Sequence, residues 1–463
     1  MNKIVLLITV LLLSHFITVA QKNDNERIQP WNENPFYWQY KGEPVLLLGA
    51  SSDDNLFQWP AEKLIPHLDS MKSVGANYVR CTMSDRVDRG FELYPYKKVA
   101  NGKYDLNKWN KEYWKRFDRF LKETEKRDII IQIEVWDRFD YSRENWPPHP
   151  YNPVNNVNYT MQESGLDKIY PNHPGGNDQP FFFTTPKQNN NEVVLKFQKR
   201  FVEKLLSYSL DYDHVLYCMD NETSGEEAWA VFWANYISGK AEEAGKKVYL
   251  TEMWDNWDLK SEQHKRTFDH PELYAFCDVS QNNHQRDQAH WDNFQWVRNY
   301  ISANPRPINT VKTYGADGGS HGTTNNAIDS WWRHVLGGAA SARFHRPPSG
   351  LGLSTLTMAS VKVAREIESI AKFWDLNPAN DLLTEREENE AYLAAKPGEK
   401  YVVFFPDEGS AGLDLRAYKK DFQLKWVDVR NGIWIKAKMI DGGKIVKIAT
   451  PADREWVCVI SSK

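Results

Sequence analysis

"HVLYCMDNETSG", residues 214–225, runs from an apolar stretch straight into Asp220, Asn221 and Glu222 before a Thr-Ser-Gly turn signal. A buried strand with such an end is either turning back to solvent or standing at the floor of a site. The rest of the chain decides between them. Similar short apolar runs precede it at 44–54 ("PVLLLGASSDD"), 78–85 ("YVRCTMSD") and 128–137 ("DIIIQIEVWD"). Others follow it at 247–255, 273–284, 307–315 and 339–347. Between them lie amphipathic patterns such as 106–127, where Trp114, Phe117, Phe120 and Leu121 recur at helical spacing. Eight strand–helix repeats, with strands apolar on both faces, predict an α/β fold of the (β/α)8 TIM-barrel type. A doubly wound open sheet fits less well, because the first strand lacks a glycine-rich phosphate loop.

The barrel gives the opening stretch its meaning, since such barrels carry their sites where the strands end. Polar residues gather at the ends of nearly all eight runs: Asp53 and Asp54, Arg80 and Asp85, Glu134 and Asp137, Asn221 and Glu222. They continue with Glu252 and Asp255, then Asn282, Asn283 and His284, Lys312 and Tyr314, and finally Arg343, His345 and Arg346. One polar strand end means little; eight converging on one rim make a site. The chain also carries 19 Trp, 22 Tyr and 21 Phe. Sugar rings stack on aromatic faces, so Trp136, Trp254 and Tyr314 at strand ends are candidate platforms, although core packing would look the same in sequence.

Several classes are excluded. A net charge of −4 with no Lys/Arg run argues against nucleic acid as a partner. No CxxC or HExxH pattern occurs, so neither a metal nor a cofactor is expected. The four cysteines sit in strand-like runs and suit buried thiols. The first twenty residues, one Lys followed by an apolar core and small residues, predict a signal peptide cleaved near Ala20. The mature chain is then exported, periplasmic or extracellular, with no membrane span. The barrel is expected over 21–380. From 381 to 463 apolar and polar residues alternate between turn signals such as "PGE", "NG" and "DGG", predicting a small antiparallel β-sandwich. Oligomeric state has no signature here.

Asn-Glu at the end of the fourth strand of eight resembles the large clan A of retaining glycoside hydrolases. The resemblance implies Glu222 as general acid/base and Asn221 as the residue holding the sugar 2-hydroxyl. More narrowly, "NPFYWQYKGEPVLLLGASSDD" (34–54), "WVDVRNGIWIKA" (426–437) and "TPADREWVCVI" (450–460) look like apiosidase-like polysaccharide-degrading enzymes, which carry a small C-terminal sandwich of the collagen-binding-like type. The implied activity is cleavage of a glycosidic bond in a plant or algal polysaccharide or oligosaccharide. A carboxyl at a buried strand end loses hydration, which is expected to raise the pKa of Glu222 toward its working range. Asp220, two residues back on a regular strand, is expected one layer deeper on the same face as Glu222.

The clan's second carboxylate, a Glu closing strand seven, has no counterpart between 305 and 330. Three readings stay open: Asp317 on its Gly-rich loop replaces it, the enzyme inverts with a more distant base, or Glu252 takes over. A separation of roughly 5 Å marks retention and ~6.5–9.5 Å inversion. Lys312, Arg80, Arg343, His345 and Arg346 form a positive patch that suits an anionic sugar, a uronate or a sulfated unit. The same cations suit neutralisation of Asp53, Asp54, Asp85 and Glu134 equally well, and Lys312 beside Glu222 would favour its carboxylate form. His284 joins the candidate substrate-binding residues. A catalytically altered carbohydrate-binding barrel and a polysaccharide lyase are the alternative functions.

Overall fold

The computed structural model describes residues 26–462, Asp88 excepted. Eight parallel strands form the barrel: β1 (Leu47–Ala50), β2 (Tyr78–Thr82), β3 (Ile130–Asp137), β4 (Val215–Asn221), β5 (Leu250–Thr251), β6 (Cys277–Asp278), β7 (Ile308–Asn309) and β8 (Ser341–Phe344). Six of them pair in the order β5-β4-β3-β2-β1-β8, and β6 pairs with β7. Backbone bonds join the two groups, Ala275 N to Leu250 O at 3.0 Å on one side and Ala340 N to Ile308 O at 2.9 Å and Thr313 N to Arg343 O at 2.9 Å on the other, so the ring closes. Each strand is followed by a helix: α1 (Ala61–Ser73), α2 (Lys111–Glu125), α3 (Glu192–Ser209), α4 (Glu227–Glu243), α5 (Glu262–Phe268), α6 (Asp287–Tyr300), α7 (Thr324–Leu336) and α8 (Thr355–Ile370). The eight apolar runs of the sequence are the eight strands.

Alternation along each strand divides the core. Val79, Ile131, Ile133 and Tyr217 face the helices, whereas Leu47, Tyr78, Ile130 and Leu216 fill the barrel interior. Trp38, on an N-terminal strand (Trp38–Tyr40), plugs the end opposite the site, its indole donating to Asn309 Oδ1 at 2.9 Å. The four cysteines are buried as free thiols.

Alternation fails in one place that matters. Val135 and Trp136 are consecutive, yet both lie in the layer between sheet and helices. Their partners do likewise: Met219 lies in that layer, and Asp220 Oδ2 accepts from the Trp229 indole of α4 at 2.7 Å. The slip turns Asp137 and Asn221 inward, where they bond each other at 3.1 Å. A one-residue irregularity flips every later side chain to the other face. This overturns the expected placing of Asp220 beneath Glu222.

Beyond α8 two antiparallel sheets follow. The larger contains Tyr392–Lys396, Lys400–Phe405, Trp456–Ser462 and Asp421–Asp428 in that spatial order, and the smaller contains Leu383–Thr384, Ser410–Asp414 and Ile445–Ala449. Period-two patterning serves both faces of the larger sheet. Tyr401, Val403 and Phe405 pack between the sheets, while Val402 and Phe404 join the barrel's core. Phe404 stacks on Trp332 of α7, with ring centroids 5.9 Å apart. Residues 1–20, read as a signal peptide, lie outside the described residues. Among the described residues no helix is long and apolar enough to cross a membrane, and no group of three or more His, Cys, Asp and Glu could hold a metal ion.

Candidate active site

At the C-terminal rim, Arg80 of β2 reaches three neighbours. Its Nε meets Glu134 of β3 at 2.7 Å, its Nη1 meets Asp54 at 2.9 Å, and its Nη2 donates to Asn221 Oδ1 at 2.5 Å. Asp54 also accepts from Arg343 of β8 and from Arg346, each at 2.9 Å. Burial pushes the Asp54 carboxyl up, but Arg80, His345, Arg343 and Arg346 together hold it well below the usual range. Glu134, wholly buried, is lifted to about 7 by burial against the pull of Arg80 and Lys312. Asp137 pairs with Arg86 at 2.6 Å.

Lys312, after β7, points at the end of β4. Its ammonium donates to Asn221 Oδ1 at 2.8 Å and to Glu222 Oε1 at 2.5 Å. Glu222 occupies the left-handed region, φ 53°, which is uncommon for a side chain of this kind. That turn ends β4 and lets consecutive residues 221 and 222 reach one cation. The expected rise of the Glu222 pKa is reversed. Burial does push the carboxyl up, but Lys312, Arg80 and a hydrogen bond from Gln281 outweigh it and bring it down to about 2. Glu222 is a carboxylate.

Asp255, past the end of β5, behaves oppositely. Burial and the Glu222 charge lift its carboxyl to about 7, with Lys312 and Arg138 opposing. Behind it, Arg138 is 3.8 Å from Asp220, which burial pushes up to about 7. Glu252 accepts from the backbone amides of Asp220 (3.2 Å) and Met253 (2.8 Å), and burial with the nearby Asp220 raises its carboxyl well above the usual range.

The structure thus brings together Asp54, Arg80, Glu134, Asn221, Glu222, Lys312, Arg343 and His345. Tyr314 stands beside His345, ring centroids 4.7 Å apart. His284 is half-buried, and burial lowers its pKa against the pull of Glu222. Other candidates are placed elsewhere. Asp317 is exposed, and its Oδ1 accepts from Thr324 N at 3.3 Å in the first turn of α7. Glu252 turns toward the Asp220 amide. Trp136 packs against Phe201 and Trp233. Trp254 is buried, its indole donating to Thr267 at 2.8 Å. The solvent-facing indole at this mouth is Trp257, 62% exposed, with its ring centroid 6.4 Å from that of His284. Sequence reasoning passed over Trp257 and Gln281. Trp257 lies three residues beyond Trp254, just past the end of the same run, and only the turn after β5 separates their fates.

Solved structures match along almost the whole chain. A glycoside hydrolase family 5 protein from Bacteroides vulgatus ATCC 8482 superposes with a TM-score of 0.63 at 13% identity, over 94% of this chain and 94% of that one. A structure described as a glycoside hydrolase gives 0.64 at 11% identity, over 94% and 97%. The fold is the (β/α)8 barrel that these glycoside hydrolase structures share. A third structure, a candidate glycoside hydrolase from the same Bacteroides strain, gives 0.61 at 12% identity, over 95% and 83%. Spans this long take in the C-terminal sheets together with the barrel. No family model matches the chain, and no curated protein does. Identities this low carry the architecture; the site must carry the function.

Proposed function

We propose that this glycoside hydrolase barrel is an exported enzyme that hydrolyses a glycosidic bond in a plant or algal polysaccharide or its fragments. One observation carries the reading. At the end of the fourth strand of eight, Asn221 and Glu222 share the Lys312 ammonium inside a rim of buried charge, with a second carboxyl, Asp255, on the neighbouring strand end. Glycoside hydrolysis needs two carboxyl groups in opposite protonation states, and these two are held apart by their surroundings. The apiosidase-like resemblance and the leader-like first twenty residues support the polysaccharide and the exported location. The rim's cations lend the anionic substrate less support than they lent in sequence, because Arg80, Lys312, Arg343 and Arg346 each pair with a carboxylate of the same rim.

The test is a panel of neutral, uronate-containing and sulfated polysaccharides incubated with purified protein. New reducing ends without ultraviolet absorbance are the expected result. Absorbance from an unsaturated sugar would replace hydrolase with lyase. Retention of a glycan without any new reducing end would replace it with a carbohydrate-binding barrel.

A further inference from the structure

Glu222 and Asp255 are joined by more than proximity of strands. Thr223 N donates to Met253 O at 2.8 Å and Asp255 N to Thr223 O at 2.9 Å, so the residue after Glu222 is bonded on both sides to the segment ending in Asp255. One side-chain amide serves both carboxyls: Gln281 donates to Asp255 Oδ1 at 3.4 Å and also hydrogen-bonds Glu222. Overhead, a Cβ added to Gly175 of the long β3–α3 loop would come within 3.4 Å of Asp255 Oδ2. Cations are shared unequally. Lys312 takes Glu222, and among the described residues Asp255 has no ion-pair partner.

We propose that Asp255 is the proton donor of the reaction and Glu222 its ionised partner, the reverse of the role that the clan resemblance implies for Glu222. The proposal rests on the hydrolase reading above. In the step, the Asp255 carboxyl gives its proton to the glycosidic oxygen as the bond from that oxygen to the anomeric carbon breaks. The bonding pair leaves with the departing alcohol. Water bonds to the anomeric carbon and yields its proton to Glu222, so the products are the free sugar and the alcohol. Asp255 ends ionised and Glu222 protonated, and exchange with solvent restores both. The groups facing Asp255 agree with this order: Glu222 just after β4 favours its protonated form, against Lys312 after β7 and Arg138 after β3. Gln281 can support both states, donating to a carboxylate or accepting from a carboxylic acid.

Substrates that differ in leaving group test the assignment. Asp255→Asn should lose about 10²–10³-fold in turnover on the natural glycan and on alkyl glycosides, the usual worth of a general acid. With a dinitrophenyl leaving group, which departs without a proton, the loss should fall below about tenfold. Glu222→Gln should lose comparably on both kinds of substrate. The wild type carries a second readout that needs no variant: kcat/KM should fall above about pH 7, where Asp255 ionises. Sparing of Glu222→Gln by the good leaving group, equal losses for Asp255→Asn on both substrates, or a flat wild-type profile from pH 6 to 9 would each overturn the assignment. All these arms need a wild type that hydrolyses something. Failure of the hydrolase reading would appear earlier, as a wild type that releases no reducing end.

Discussion

Along the arc from β8 through β1 and β2 to the end of β3, six carboxyls, Asp53, Asp54, Asp85, Glu134, Asp137 and Asp140, lie among five guanidiniums, Arg80, Arg86, Arg89, Arg343 and Arg346. Along the arc from β4 to β5, four carboxyls, Asp220, Glu222, Glu252 and Asp255, share the influence of Lys312 and Arg138. The first arc comes within one charge of balance and is knitted by direct ion pairs. The second has more acids than cations, so its carboxyls cannot all ionise cheaply. Crowded acids with too few counter-charges are where proton-transfer chemistry is found, at a cost in stability. The comparison separates scaffold from chemistry within one ring of residues.

Breaking the balanced arc should have the largest effect. Arg80→Ala strands Glu134 in the interior, takes one of three guanidiniums from Asp54, and should cost about 3–5 kcal/mol of unfolding free energy, measured by denaturant titration. A loss under about 1 kcal/mol would show that the arc is not structural.

Thinning the crowded arc should do the opposite. Raised from its ordinary value to about 7, Asp255 binds its proton more tightly in the folded state than in the unfolded chain. Its penalty is absent below about pH 4 and grows until about pH 7. Asp255→Asn should therefore add about 2–4 kcal/mol at pH 8 and little at pH 4, while activity falls. Equal effects at the two pH values would contradict the raised pKa.

Lys312 bridges the arcs functionally. Lys312→Met removes the charge that holds Glu222 near 2, so the acid limb of the pH–rate profile should move up by about 1–3 units into a measurable range. The alkaline limb should rise too, because Lys312 also holds Asp255 down. An unmoved acid limb would mean that another group sets the Glu222 charge.

The smallest effect belongs to the mouth. Trp257→Ala should raise KM by about three- to tenfold, the worth of one aromatic stacking contact, with kcat and folding unchanged. An unchanged KM would remove Trp257 from the binding surface.

Much of the fold was legible because short runs apolar on both faces alternate cleanly with helical patterns over about three hundred residues. Arg80, Asn221, Glu222 and Lys312 were legible as polar residues where apolar runs close. The rest was hidden by geometry that no period records. The slip at Val135–Trp136 and Met219–Asp220 sends Trp136 and Asp220 toward the helices. The sign of the Glu222 shift depends on a cation ninety residues away, whose approach only the closed barrel supplies. Asp317 and Asp255 are both acids just past strand ends. One is spent on the first turn of a helix and the other is turned toward Glu222.

The strand Trp456–Ser462 lies between Lys400–Phe405 and Asp421–Asp428, and so at the middle of its sheet rather than at the edge. During synthesis its two neighbours emerge first and have nothing between them. The face that Val402 and Phe404 present to the barrel cannot be completed, and Trp332 cannot be covered for good, until residue 462 has left the ribosome. Maturation of the barrel's outer wall thus waits on the strand Trp456–Ser462, and a chain lacking that strand would leave apolar surface open to misassembly.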